Sequence, residues 1–213
     1  AKPKATVINK SIFTCESNTG ETWADDAILQ SVKVKEGFRS ARVAGEGAGV
    51  AKTFTCTLGT SLKLSIWVDG TASPVTDELV FDIYITDRTK LTDANCLTLN
   101  IGADNGNYWT YTWLTRDALG LTGSAQWFEV RIKKDDVDAA VGAGAPAWTS
   151  IAWIQFVTST FSAGSYLYID NMRMEPYQNY YQIADFEPDE AWTFTGNGEY
   201  STDTVGVTQA TQC

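Results

Sequence analysis

Glu78-Leu79-Val80-Phe81-Asp82-Ile83-Tyr84-Ile85-Thr86 is the stretch that decides the fold. Successive side chains of an extended strand point to opposite sides, so Leu79, Phe81, Ile83 and Ile85 share one face and Asp82 and Tyr84 the other. Trp127-Phe128-Glu129-Val130-Arg131-Ile132-Lys133 repeats the pattern, with Phe128, Val130 and Ile132 opposed to Trp127, Glu129, Arg131 and Lys133. The two apolar rows are the expected core. The mixed rows are the expected wet face, and Trp67 joins them because Ile66 and Val68 point the other way.

Residues 7–13, 28–34, 51–58, 61–69, 96–101, 108–114, 151–158 and 165–174 are further short runs rich in Val, Ile, Thr and aromatics, which predicts about ten strands. Clusters that accept positive φ punctuate them: 45–49 with three glycines, Asp69-Gly70-Thr71, and Asp104-Asn105-Gly106-Asn107. The 45–49 cluster lacks the Lys-Ser/Thr of a phosphate loop and reads as a hairpin loop. No segment has a helical apolar stripe, although 116–119 and 134–141 have room for a turn or two. An all-β sandwich is expected. Residues 138–147 read as a flexible, weakly polar loop.

The chain has 213 residues, 44% of them hydrophobic and 12% aromatic, which is enough for a globular core. Its net charge of −10 repels a phosphate backbone, so nucleic acid is not an expected partner. It has no histidine, which removes the commonest general base and zinc ligand. No run reaches the roughly 18–20 apolar residues of a bilayer span, and no membrane partner is expected. The four cysteines, Cys15, Cys56, Cys96 and Cys213, are too scattered for a metal finger, which leaves buried thiols or a Cys15–Cys56 disulfide. Asn9-Lys10-Ser11 fits a glycosylation acceptor, but it lies in an expected strand and reads as chance.

The composition shifts after Met174. Residues 176–213 hold six acidic residues and no Lys or Arg. Ile183-Ala184-Asp185-Phe186-Glu187 echoes Ile12-Phe13-Thr14-Cys15-Glu16, and Trp192 echoes Trp23. The division expected is a sandwich over 1–175 and an acidic C-terminal arm over 176–213 that resembles a truncated second module. A half-module cannot bury its own apolar face. The arm is therefore expected to dock on a neighbour through Tyr177, Tyr180, Tyr181, Phe186 and Trp192, because aromatics dominate interface energetics.

Tyr166-Leu167-Tyr168-Ile169-Asp170-Asn171-Met172-Arg173-Met174 resembles the closing strand of galactose-binding-like carbohydrate-binding modules. Glu16 followed by Trp23, the strand expected over 62–68, and Trp127–Val130 before 151–156 fall in that family's order. The resemblance covers about residues 12–175 and implies a jelly-roll β-sandwich of two antiparallel sheets. It also implies a structural calcium with carboxylates from Glu16 and Asp170, a hard oxygen set suited to that ion. Jelly rolls of this type occur both as sugar-binding appendages and in bacteriophage virions, so fold alone does not name function.

Trp109, Tyr111 and Trp113 alternate with threonines; rings in such a row usually face inward, so they are read as core. Trp67, Tyr84 and Trp127 are the ligand or interface aromatics, since their strands have another apolar face to bury. Asp25-Asp26 and Asp135-Asp136 are adjacent in sequence and point apart, unlike the facing pair a glycosidase needs, so no catalytic residue is assigned. Two expectations follow. The first is a non-enzymatic virion protein, such as a bacteriophage capsid decoration, docking on copies of itself or a capsid protein. The alternative is an extracellular carbohydrate-binding module with a glycan as partner.

Overall fold

The computed structural model describes residues 10–16, 20–62, 77–133, 138–142, 146, 148 and 150–176. Twelve strands follow in chain order: β1 (Lys10–Phe13), β2 (Thr22–Asp25), β3 (Ile28–Gln30), β4 (Ser40–Ala44), β5 (Thr53–Leu62), β6 (Asp77–Ile85), β7 (Leu97–Asp104), β8 (Asn107–Trp113), β9 (Gln126–Lys133), β10 (Asp138–Gly142), β11 (Ile151–Thr158) and β12 (Tyr166–Pro176). Among the described residues, a 3₁₀ turn, Arg88–Lys90, is capped by Asp87, whose carboxylate accepts from the Thr89 amide. The strands form two six-stranded antiparallel sheets. The first runs β3-β4-β12-β6-β9, with β1 also on β12, and the second runs β10-β8-β7-β11-β5-β2. This is the expected all-β jelly-roll sandwich.

Leu79, Phe81, Ile83 and Ile85 are all fully buried, as their alternation requires. They face Leu97, Leu99, Ile101, Ile154 and Phe156 of the second sheet in one core cluster. The Phe81 ring lies 5.0 Å from Phe156 and 5.7 Å from Trp113. Burying a side chain of this size stabilises the fold by about 1.5–3 kcal/mol. Trp113 is core, and Trp109 and Tyr111 pack against it, so this row of rings faces inward.

Several local expectations are corrected. The strand expected over 28–34 stops at Gln30, because the Gln30 side chain accepts from the Val32 and Lys33 amides and donates to the Lys33 carbonyl. Such local capture competes with a sheet ladder and makes 31–39 a loop. The 45–49 cluster is no hairpin: it carries the chain from β4 in one sheet to β5 in the other. The segment given room for a helical turn carries β10, paired to β8. Most of 51–58 and the start of 61–69 form one strand, β5, which begins at Thr53 and runs to Leu62. Asn105-Gly106 does close the β7–β8 hairpin, although neither residue takes the positive φ expected of that cluster.

β12 contains a bulge. Asp170 pairs with Asp82 and Arg173 with Val80, so two residues of β12 face one of β6. Asn171 absorbs the extra residue at φ 51°, a left-handed conformation that asparagine tolerates. Leu167 and Ile169 point inward before the bulge, and Met172 and Met174 after it. Without it, the charged side chains of Arg173 and Glu175 would enter the core. Cys15, Cys56 and Cys96 are buried free thiols, so Cys15 and Cys56 are not bridged.

Candidate functional site

The sheets present two outer faces of different chemistry. On the first sheet, one end is a closed ion-pair network. Arg131 pairs with Glu78 at 3.2 Å, Glu129 at 2.7 Å and Glu175 at 2.6 Å. Arg173 pairs with Asp82 at 3.0 Å, Glu129 at 2.8 Å and Glu175 at 2.5 Å. Asp82, expected on a wet face, is fully buried beneath this network and the 31–39 loop. Burial pushes its carboxyl above the usual carboxylate range, and the Arg173 and Lys35 charges only partly offset this.

Tyr84 is corrected in the same way. It is only 6% exposed, packed between Trp127 at 5.5 Å and Tyr168 at 5.4 Å, with the Lys33 ammonium 5.5 Å above its ring. The loop that replaces the expected strand brings in this lysine, and it covers the ring that alternation placed in water. Trp127 is half-buried. Trp67 lies outside the described residues, as do Tyr177, Tyr180, Tyr181, Phe186 and Trp192 of the arm and the repeat echo.

Glu16 and Asp170 are brought to the same loop. Glu16 Oε1 accepts the amides of Phe38 at 2.6 Å and Arg39 at 3.1 Å. Asp170 Oδ2 accepts those of Lys35 at 2.8 Å and Glu36 at 3.2 Å. Gly37 between them has φ 73°, and any Cβ there would collide with the Glu16 carboxylate. Burial pushes the Asp170 carboxyl up to about 7, against those amide bonds. Its other oxygen, Oδ1, is buried with no hydrogen bond. Calcium takes six to eight oxygens. Two carboxylates that each commit an oxygen to a pair of N–H donors do not make such a cage. Among the described residues, no group of three or more His, Cys, Asp or Glu is placed to hold a metal ion. The pair fits an anionic clamp on the loop rather than a calcium cage.

The second sheet's outer face is uncharged at its centre and meets acids at its margins, where Asp138 of β10 is paired with Thr110 and Asp25 ends β2. Three rows cross the face, each with one outward residue per strand. The first holds Tyr108, Gly102, Trp153 and Thr57, the second Thr110, Asn100, Gln155 and Thr55, and the third Thr112, Thr98, Val157 and Thr53. No Lys, Arg, Asp or Glu occurs in them, although 20% of the chain is charged. In the first row, Tyr108 packs so closely on Gly102 that a Cβ there would lie 2.5 Å from the Tyr108 Cα, and the rings of Tyr108 and Trp153 meet at 5.4 Å.

The second row is one hydrogen-bond chain. The Thr110 hydroxyl donates to Asn100 Oδ1 at 2.9 Å, and Asn100 Nδ2 to Gln155 Oε1 at 3.1 Å. Gln155 Nε2 then donates to Thr55 Oγ1 at 3.1 Å, and the Thr55 hydroxyl to the Asp25 carboxylate. Asp25, at the end of β2 with φ 63°, supplies the closing acceptor at the sheet's edge. Asn100 and Gln155 each spend one amide N–H on the chain and keep a second donor. Five strands thus hold a fixed line of donors and acceptors beside an aromatic pair.

Sequence reading does not single out Tyr108, Trp153, Asn100 or Gln155. Their signal is the missing charge at the outward positions of β5, β7, β8 and β11, which shows only once the strands are set in register.

No protein-family model matches the chain, and no curated protein matches it. The family 11 carbohydrate-binding module from Clostridium thermocellum, solved with a β-1,3-1,4-mixed-linked tetrasaccharide, is similar over 79% of this chain and 95% of its own, with 16% identity and a TM-score of 0.46. Two structures of a family 30 carbohydrate-binding module are each 12% identical, with TM-scores of 0.52 and 0.50. They cover 94% and 80% of this chain and 97% and 99% of theirs. On those two alignments, the chain has the jelly-roll β-sandwich fold found in carbohydrate-binding modules.

Proposed function

We propose that this chain is a non-catalytic module that binds neutral polysaccharide on the outer face of the β10-β8-β7-β11-β5-β2 sheet. The observation that carries the reading is the line Thr110, Asn100, Gln155 and Thr55, closed by Asp25, beside Tyr108 and Trp153, in which Tyr108 and Gln155 are half-buried and Trp153, Asn100 and Thr55 keep 7–8% of their surface exposed. A pyranose offers hydroxyls at its edge and C–H groups on its faces. The free amide N–H groups of Asn100 and Gln155 and the threonine lone pairs match the first, and the aromatic pair matches the second. A donor row locked by its own bonds loses little freedom on binding, which favours affinity from few contacts. Such a ligand lies outside the cell, and an extracellular setting goes with the proposal.

The placement of carboxylates supports binding over turnover. The carboxylate pairs set side by side across the described strands, Asp82–Asp170, Asp82–Glu129 and Glu78–Glu175, each include a buried member, and Glu78, Glu129 and Glu175 are tied to Arg131 or Arg173. The virion-assembly reading rests on the arm, which lies outside the described residues, and no contact among the described residues favours it.

The test is affinity electrophoresis and calorimetry against a panel of neutral β-glucans, galactans and xylans, with Trp153→Ala and Gln155→Ala. Binding to at least one is expected, weakened about tenfold or more by Trp153→Ala, since one ring-to-sugar stack is worth about 1–3 kcal/mol by analogy with bases on aromatics. Absence of binding across the panel, or binding unchanged by both substitutions, defeats the proposal.

A further inference from the structure

The first sheet carries a feature that neither its core nor the second sheet's outer face explains. A transverse row crosses five strands in register: Ile28 on β3, Arg42 on β4, Tyr168 on β12, Tyr84 on β6 and Trp127 on β9. Tyr166, two residues before Tyr168, extends the rings toward solvent, 6.4 Å from Tyr168 and 41% exposed. The Arg42 guanidinium lies 4.9 Å from the Tyr166 ring centroid, and Ile28, 56% exposed, borders it on the other side.

Two of the six arginines, Arg39 and Arg42, form no ion pair among the described residues. Arg88, Arg116, Arg131 and Arg173 each pair with a carboxylate. Arg42 has no ion pair among the described residues, and its Nε is buried without an acceptor. This occurs in a chain with 26 acidic residues against 16 basic ones, where a carboxylate partner is easy to supply. The guanidinium is placed instead by stacking on Tyr166 and by a hydrogen bond to the Tyr168 hydroxyl, which leaves its remaining N–H groups for an acceptor from outside. Lys33, over Tyr84, adds a second cation with no ion pair among the described residues to the same row. The positive charge is local: the Arg131 and Arg173 end of the sheet is filled by its own carboxylates.

We infer that Arg42, Tyr166 and Lys33 form a second site, separate from the second sheet's outer face, that takes an acidic sugar, a pyranose bearing a carboxylate. Its ring face would lie on the exposed side of Tyr166 and its carboxylate on the Arg42 edge, where a planar fork matches a carboxylate in two parallel hydrogen bonds. An open sheet face with one ring and a fork suits a sugar unit of a polymer. An acidic peptide would be met by several cations in series. The two sites lie on opposite sheets, so one chain can hold two strands of a polysaccharide, or two kinds of it.

The experiment is calorimetry of the full chain with oligogalacturonate, its carboxyl-reduced counterpart and polyglutamate, at low and high salt. Oligogalacturonate should bind, weakening as salt rises, and the reduced oligomer should bind at least tenfold less well at this site. Arg42→Gln and Tyr166→Ala should each weaken oligogalacturonate at least tenfold. Arg42→Lys should recover part of the loss, and Trp153→Ala should leave it unchanged. Unchanged melting temperatures show that the variants are folded; Tyr166→Ala removes a half-exposed side chain and serves if Arg42→Gln unfolds. The inference is overturned if oligogalacturonate does not bind, if the reduced oligomer binds equally, or if polyglutamate binds as tightly. It is also overturned if Trp153→Ala abolishes acidic binding, which would put both ligands on one face. Loss of neutral binding alone would sink the proposed function and leave this site standing.

Discussion

Replacing Asp170 with asparagine should make the protein relatively more stable as pH rises, and the size follows from the site. Burial raises the folded carboxyl from 3.8 to about 7. The unfolded chain releases this proton near pH 4 while the folded chain keeps it to about pH 7. Between those values the folded state binds more protons, so Asp170's contribution to stability falls as pH rises, by about 1.4 kcal/mol per unit. The full loss is about 4 kcal/mol, complete just above neutrality and absent below pH 4. An asparagine in its place would have no proton to lose. Its side-chain oxygen can still accept from Lys35 and Glu36, and its N–H₂ can face Asp82 Oδ1, which has no hydrogen bond. Urea unfolding of both proteins from pH 4 to 8, with chelator present, reads the effect, because carboxylates remote from Asp170 cancel in the difference and only its strand neighbour Asp82 changes with it. The stability of Asp170→Asn minus that of the wild type should climb with pH toward about 4 kcal/mol. A difference that is flat or falls over this range would show that Asp170 is ionised throughout, and the reasoning from burial would be wrong.

Asn171→Gly should cost little and Asn171→Val about 1–3 kcal/mol by chemical denaturation, because a β-branched residue is strained at φ 51°. Gly37→Ala should lower the melting temperature, since its Cβ meets the Glu16 carboxylate in a left-handed turn; an unchanged value would mean that Glu16 does not hold the loop. Cys15, Cys56 and Cys96 should resist alkylation in the folded protein, because burial pushes each thiol up, Cys96 to about 11; peptide mapping showing rapid labelling at pH 8 would contradict that burial. Melting curves in excess calcium and in chelator should coincide, and a clear rise in calcium would place the ion at Asp170 Oδ1 after all.

The inward half of this fold is legible in the sequence and the outward half is not, for a physical reason. Leu79, Phe81, Ile83 and Ile85 bury themselves by alternation alone, a property of one strand. Whether Tyr84 is wet depends on Lys33, fifty-one positions earlier, in a loop that exists because Gln30 captures local amides. The hydrogen-bond chain on the second sheet is assembled from Asp25, Thr55, Asn100, Thr110 and Gln155, unremarkable residues on five strands. The closing motif points to the jelly roll and to Glu16 and Asp170, which do meet at one loop. It does not reveal that their oxygens serve backbone amides.

The left-handed residue at Asn171 makes β12 a strand with two phases. Upstream, even-numbered positions look outward; downstream, odd-numbered ones do. Losing one residue there would turn Met172 and Met174 into the solvent and drive a guanidinium and a carboxylate between the sheets. The segment should therefore be far less tolerant of a single-residue deletion than of most substitutions, and an ungapped alignment with a strand lacking this step would misassign every side chain beyond it.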